Sequence, residues 1–249
     1  MKLFLLFCFS IFNLLSYSQD KNKFYALDAS LQETVLDSSV YLLWVHEIED
    51  SNWQFDYYRT WGPLVKSQTF ADREGSVLNG RTSIYNTYGN LDSTGIFSYN
   101  KKNGPFIKYI SLSKDSILES KHYDYKNDSL IKMVNEMDNL KKQAPGDTSV
   151  WVSRDTPIKD SSWAEFLSVN IKYPERARSK NIQGAVYISF HVNVKGDVNH
   201  AYIKKSAEYS LDQEALRLIK DSGKWYPDVI NGIQIQSEKT KPVNFKLDK

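Results

Sequence analysis

Residues 185–198 read Ala-Val-Tyr-Ile-Ser-Phe-His-Val-Asn-Val-Lys-Gly-Asp-Val. Val186, Ile188, Phe190, Val192 and Val194 alternate with Tyr187, Ser189, His191 and Asn193. A period of two marks an antiparallel strand with one apolar face and one wet face. Lys195-Gly196-Asp197 is a short hairpin turn, and the chain returns through Val198, Ala201 and Ile203. The uneven spacing of those three predicts a bulge near Asn199–His200.

Upstream of this hairpin, Ser162-Trp163-Ala164-Glu165 is a capping box. Its helix carries Trp163, Phe166 and Leu167 on one side. It must stop before Pro174, because the residue preceding a proline is pushed out of helical geometry. Pro174 suits the first turn of a second short helix, with Ala177 inward and Arg176, Arg178 and Lys180 outward. This basic face reads as solvated, with an acidic lipid or peptidoglycan surface as the functional alternative. Gly184 ends the passage. Downstream, Ser210-Leu211-Asp212-Gln213 is another capping box, and Leu211, Ala215, Leu218 and Ile219 form the buried stripe of its helix. Asp212 sits where the positive end of the helix dipole favours an acid. Ile233, Ile235, Val243, Phe245 and Leu247 form the last strand or strand pair, interrupted near Glu238–Pro242. Pro242 cannot donate to a ladder, which suits a sheet edge. The order helix, strand, strand, helix, strand predicts a small α+β two-layer sandwich with helices on one face of an antiparallel sheet.

The chain has 249 residues, with 32 basic against 30 acidic. This balance argues against a nucleic-acid partner, which needs a one-sided basic surface. Lys2 and the mostly apolar run Leu3–Leu15 read as an export signal cut before Gln19, so residues 1–18 are assigned to a signal peptide. The alternative is an uncleaved inner-membrane anchor. The single cysteine, Cys8, lies inside this run, so the mature protein would have no thiol chemistry. Export to the periplasm follows.

Residues 19–147 read as a β-rich domain. Val40–Val45 is a candidate buried strand. From about Trp53 short aromatic runs alternate with glycine. Gly80 and Gly104 stand 24 residues apart, as do Tyr85 and Tyr109, Tyr99 and Tyr123, and Trp61 and Tyr85. Ser83–Leu91 and Gly95–Asn100 look like successive strands of a meander with Gly/Asn turns. Trp61 to Tyr125 resembles the MORN-type repeat in its variant form. An unrelated β-meander stays open beside it. Leu130, Met133, Met137 and Leu140 recur at three or four, which predicts an amphipathic helix over 127–142. Residues 148–160, with two Thr/Pro breaks, read as the linker to a C-terminal domain over 161–249.

That domain resembles the TonB C-terminal domain family. The matching residues are Tyr173-Pro174 with Ala177, Gly184, the Val186–Val194 alternation with Gly196 and Val198, Ser206, Leu211-Asp212 with Ala215, Trp225 with Pro227, Asn231-Gly232, and Pro242 with Phe245. The resemblance covers Tyr173 to Leu247. It implies a periplasmic module that takes an extended segment of an outer-membrane receptor, or of another envelope protein, as an added strand. It places that contact on Gln234, Ile235, Gln236, Val243, Asn244 and Phe245. The chain lacks the family's Pro/Lys-rich spacer and its long anchor, which puts energy-coupled transport in question. The alternative is an envelope scaffold in which the β-repeat domain does the binding. Edge strands swap or pair, so a homodimer is also open.

No catalytic spacing is present: there is no Ser/His/Asp arrangement, phosphate-binding glycine loop or dinucleotide glycine cluster. Asp155, Asp160 and Glu165 are acids on a linker and a cap and read as solvated surface. A direct two-residue hairpin would bring His191 opposite His200, yet two imidazoles make a poor metal site. The expectation is a protein that is not an enzyme, with no metal and no cofactor.

Overall fold

The computed structural model of the protein describes residues 22–48, 51–113, 116–134, 151–154, 156–159 and 162–247. The expected signal segment, with Cys8, lies outside them. Among the described residues no helix is long and apolar enough to cross a membrane.

The first half is a nine-stranded sheet whose strands pair in chain order, all antiparallel. They are β1 (Asn22–Leu27), β2 (Tyr41–Glu47), β3 (Trp53–Arg59), β4 (Leu64–Phe70), β5 (Leu78–Tyr85), β6 (Leu91–Ser98), β7 (Lys101–Ser113), β8 (Ser116–Lys126) and β9 (Ser129–Val134). This is the predicted meander. Tyr99-Asn100 and Asn127-Asp128 each fill a two-residue turn with both φ angles positive, which matches the twist of the flanking strands. The 24-residue beat has a physical source. Gly80 and Gly104 sit at register irregularities in β5 and β7, with φ of +130° and +119°. Such backbone is open to glycine and strained for other residues. Five residues on, Tyr85 and Tyr109 are buried on the same face of the sheet. The beat is thus a two-strand period, and the MORN-type resemblance finds no support beyond it.

The helix expected over 127–142 is corrected at its start, because Ser129–Val134 is strand β9, paired with β8. The turn at Asn127-Asp128 returns the chain onto the sheet, and ladder hydrogen bonds outweigh the helical spacing of Leu130 and Met133. Met137 and Leu140 lie outside the described residues.

The second half contains β10 (Trp151–Val152), α1 (Trp163–Asn170), α2 (Glu175–Ser179), β11 (Gly184–Val192), β12 (Val198–Lys205), α3 (Tyr209–Asp221), β13 (Asp228–Ile230), β14 (Ile233–Ile235) and β15 (Ser237–Phe245). The main sheet runs β12-β11-β15, antiparallel, and a second small sheet runs β10-β13-β14. The predicted α+β arrangement is therefore present. The capping of α1 is as expected, with the Glu165 amide donating to Ser162 Oγ at 3.1 Å. Helix α3 starts earlier than expected. Its N-cap is Glu208, whose carboxylate accepts from the Ser210 amide at 2.7 Å. The last strand is interrupted at Gln236, and Ser237–Phe245 pairs without a break with β11. Part of the expected linker is built into the fold, since Trp151 and Val152 pair with Ile230 and Val229.

The C-terminal core is centred on Trp225. Its ring is fully buried, edge-on to Phe190 at 4.9 Å, and its Nε1 donates to Ser222 Oγ at 2.7 Å. Gly196 (φ +82°) lets the β11–β12 turn approach: an added Cβ would come within 2.6 Å of the Trp225 carbonyl oxygen. The predicted bulge is present: β11 and β12 lose register between Ser189 and His191, and His200 has φ of +51°. One core cluster joins the two halves. Leu42, Tyr58, Leu64, Tyr85, Leu91 and Tyr109 from the meander pack with Leu211, Ala215 and Ile203 from the C-terminal half. The opposite face of the meander has its own smaller core of Leu27, Leu43, Val45, Phe55 and Phe70.

Candidate partner-binding site

The main C-terminal sheet has two edges, and the chain treats them differently. The β12 edge meets the meander. The Ser206 amide donates to the Gly89 carbonyl at 2.9 Å, Asn90 bridges Lys205, and Tyr85 Oη donates to the Ile203 carbonyl at 2.7 Å. A Cβ on Gly89 (φ +79°) would collide with the Ser206 carbonyl oxygen, so this approach requires glycine.

The β15 edge pairs with β11 on one side, and among the described residues no strand pairs with its other side. Its side chains alternate. Lys239, Lys241, Val243 and Phe245 point into the core, while Glu238, Thr240 and Asn244 are exposed. Pro242 has no N–H, so it suits a ladder position whose backbone groups face away from β11. Trp163 Nε1 donates to the Pro242 carbonyl at 2.9 Å. Thr240 and Asn244, two residues to either side, direct their backbone groups the same way as Pro242. The exposed edge is therefore a run of backbone donors and acceptors with one capped carbonyl in its middle.

Residues 169–247 match the family described as "Gram-negative bacterial TonB protein C-terminal". This match to the TonB C-terminal domain family covers about a third of the chain. The chain is also similar to Protein TonB of Vibrio cholerae serotype O1, at 25% identity over 111 residues, which is 44% of this chain and 45% of that protein. The match thus spans less than half the length of either. Two solution structures of the Helicobacter pylori TonB C-terminal domain are similar as well. One, of residues 179–285, is 25% identical, covers 34% of this chain and 78% of that one, and has a TM-score of 0.30. The other, of residues 194–285, is 26% identical, covers 34% and 89%, and has a TM-score of 0.29.

Within the matched region the motif residues have structural roles. Tyr173 donates its hydroxyl to the Ile182 carbonyl at 2.6 Å and meets Phe245 edge-on. Pro174 caps α2. Gly184 opens β11 against Ala207. Asn231-Gly232, both at positive φ, turn β13 into β14, and Pro227 leads from Trp225 into β13. Leu211 is fully buried. Asp212 is also fully buried, and accepts from Ser206 Oγ at 2.6 Å and from the Ala207 amide at 3.1 Å. Burial pushes its carboxyl up to about 8, which outweighs the helix-dipole effect expected from its position.

The residues expected to contact a partner divide between two sheets. Gln234 and Ile235 lie on β14, paired with Val229 and Asp228. Gln236 is the break. Val243, Asn244 and Phe245 lie on β15, opposite Val186, Ala185 and Gly184. Val243 and Phe245 are core side chains whose backbone groups face β11, so they offer a partner neither side chain nor ladder groups, whereas Asn244 offers both. The buried pair of Lys239 Nζ and Asp228 Oδ1, 2.6 Å apart, pins the two sheets together, with Ser153 Oγ also donating to Asp228.

The expected solvated basic face is corrected at Arg176. Its Nε meets the fully buried Glu208 Oε1 at 2.6 Å, its Nη2 donates to the Thr60 carbonyl at 2.7 Å, and its guanidinium lies over Trp61. A buried carboxylate requires a cation. His191 and His200 stand with ring centroids 5.8 Å apart, out of direct register because of the bulge.

Proposed function

We propose that this chain is an exported envelope protein that binds an extended segment of a TonB-dependent outer-membrane receptor, or of another envelope protein, by strand addition to β15. The observation that carries this reading is the outer edge of β15, which no strand among the described residues pairs, within the region that matches the TonB C-terminal domain family. Backbone hydrogen bonds to the edge supply affinity. Exposed Glu238, Thr240 and Asn244 supply choice. The protein works in the periplasm as a binding module and not as an enzyme. Coupling to energised transport belongs to the same proposal.

The test is a titration of the mature chain with extended peptides from such receptors, followed by backbone amide shifts. Saturable shifts centred on Thr240 and Asn244 support the reading. Binding without change at β15, or a folded protein that binds none of the peptides, removes it. A second reading, the envelope scaffold, is favoured by β9. It ends the meander sheet and leaves Leu130, Ile131 and Met133 more than half exposed. Shifts along β9 instead of β15 in the same titration would support the scaffold.

A further inference from the structure

The polar face of the C-terminal sheet is not open to solvent over its whole width. Ser189, on the face expected to be wet, is fully buried. Beyond it the meander and the C-terminal sheet diverge and leave a cleft of about 240 Å³. Arg81 from β5 lines the meander side and Lys204 from β12 the side of the C-terminal sheet, where His191 of β11 also lines it. Arg81 lies over the Tyr202 ring at 4.3 Å. Stacking fixes the plane of a guanidinium and leaves its N–H edge free to fork onto a carboxylate. Among the described residues neither Arg81 nor Lys204 has a carboxylate within ion-pair distance. The one acid in the cleft, Glu238, accepts the Tyr202 hydroxyl at 2.6 Å. Ile96, Ile107 and Pro105 give the cleft an apolar floor.

We infer that this interdomain cleft binds a peptide carboxylate, with Arg81 and Lys204 as its counter-charges and the apolar floor against the neighbouring methylenes. With no carboxylate among the described residues paired to either, Arg81 and Lys204 leave an entering anion a counter-charge on each side of the cleft. Partial exclusion of water strengthens each contact made there. The carboxylate comes from an acidic side chain or from a chain terminus. The site is built from both halves of the protein, so it belongs to this chain and not to an isolated TonB C-terminal domain. It does not depend on strand addition at β15.

The experiment titrates the mature chain with acetyl-Pro-Glu-Pro-amide, in which the prolines prevent ladder formation. The side-chain resonances of His191 and Tyr202 report the cleft. The expected result is saturable shifts with the Glu peptide and binding about tenfold weaker with the Gln analogue, the size of one charge-assisted hydrogen bond. Arg81→Gln and Lys204→Gln should each weaken the Glu peptide about as much while leaving the remaining spectrum unchanged. A Gln peptide with a free C-terminal carboxylate forms the second arm. If it binds as well as the Glu peptide, a chain terminus is the source. Equal shifts from the Glu peptide and the capped Gln peptide, no shift at millimolar peptide, or full binding by Arg81→Gln would overturn the assignment. The proline-flanked probes leave the β15 edge untouched, so this outcome is separate from that of the strand-addition test.

Discussion

Replacing Arg176 by Met should destabilise the protein by about 3 kcal/mol. The guanidinium neutralises Glu208, whose side chain is fully buried, and it also holds the Thr60 carbonyl of the meander. Removing one member of a buried ion pair costs about 3–5 kcal/mol, because the other charge stays buried and uncompensated. The lower end applies here, since the Arg176 side chain is 27% exposed and water can reach the vacated space. The Glu208 carboxylate would keep its bonds from the Ser210 amide and hydroxyl, which limits the loss further. Glu208→Gln keeps those bonds and removes the charge. In the double variant Arg176→Met with Glu208→Gln no buried charge is stranded, so the loss should be about 2 kcal/mol smaller than the sum of the single losses. Urea denaturation of the four proteins measures the cycle. Additive losses, with a coupling below about 0.5 kcal/mol, would refute a buried pair and return Arg176 to a solvated helix face.

Three further outcomes follow from the same contacts. Burial raises the Asp212 carboxyl from 3.8 to about 8, so the folded protein holds a proton that the unfolded chain releases. That stabilisation is fully present below about pH 4 and is lost as pH rises through about 8. The urea midpoint of Asp212→Asn should therefore fall less than the wild type's over that window; Asp56, raised by burial to about 6, leaves a residual dependence below that pH. Gly89→Ala adds a strained φ, at about 1–2 kcal/mol, to the collision with the Ser206 carbonyl. Faster hydrogen exchange at the Ser206 amide should accompany its lower thermal midpoint. Trp163→Phe frees the Pro242 carbonyl on the β15 edge. It should tighten strand-adding peptides roughly fivefold, about 1 kcal/mol, and calorimetric titration against the wild type checks this.

The β11 alternation, the β11–β12 bulge and the Ser162 cap were legible because each is a local pattern, decided within a few residues. The contacts between the halves were not. Leu64 donates its amide to Ser206 Oγ across 142 residues, and nothing near Leu64 announces it. Arg176 reads as a surface cation until Glu208 is folded against it. Asp212 reads as a helix-dipole acid, and only its complete burial reverses the sign of its shift. Strand β9 was missed because two apolar residues three apart fit a helix as well as an edge strand. Of the candidate site, Pro242 marked the edge correctly from its missing N–H. The role of Trp163 as its cap required the tertiary structure.

The shared core makes a physical claim about how the protein should be divided. Tyr58, Leu64, Leu91 and Tyr109 are buried in the same cluster as Leu211 and Ile203. Tyr85 Oη, the Leu64 amide and the Gly89 and Thr60 carbonyls all bond across the junction. If the C-terminal half is produced alone, these apolar faces meet water, each large side chain losing about 1.5–3 kcal/mol of burial. Fragments 22–134 and 151–247, co-expressed as separate chains, should therefore recombine with a dissociation constant of about 1 μM or tighter, an association of roughly 8 kcal/mol. Arg176→Met in the second fragment should weaken that association, because the Thr60 contact crosses the junction. Size-exclusion chromatography of the mixture and calorimetric titration of the fragments measure both. Two fragments that each melt cooperatively at the full-chain midpoint, and do not associate, would show that the junction is only a surface contact. In that case the carboxylate cleft between the sheets would lose its fixed walls.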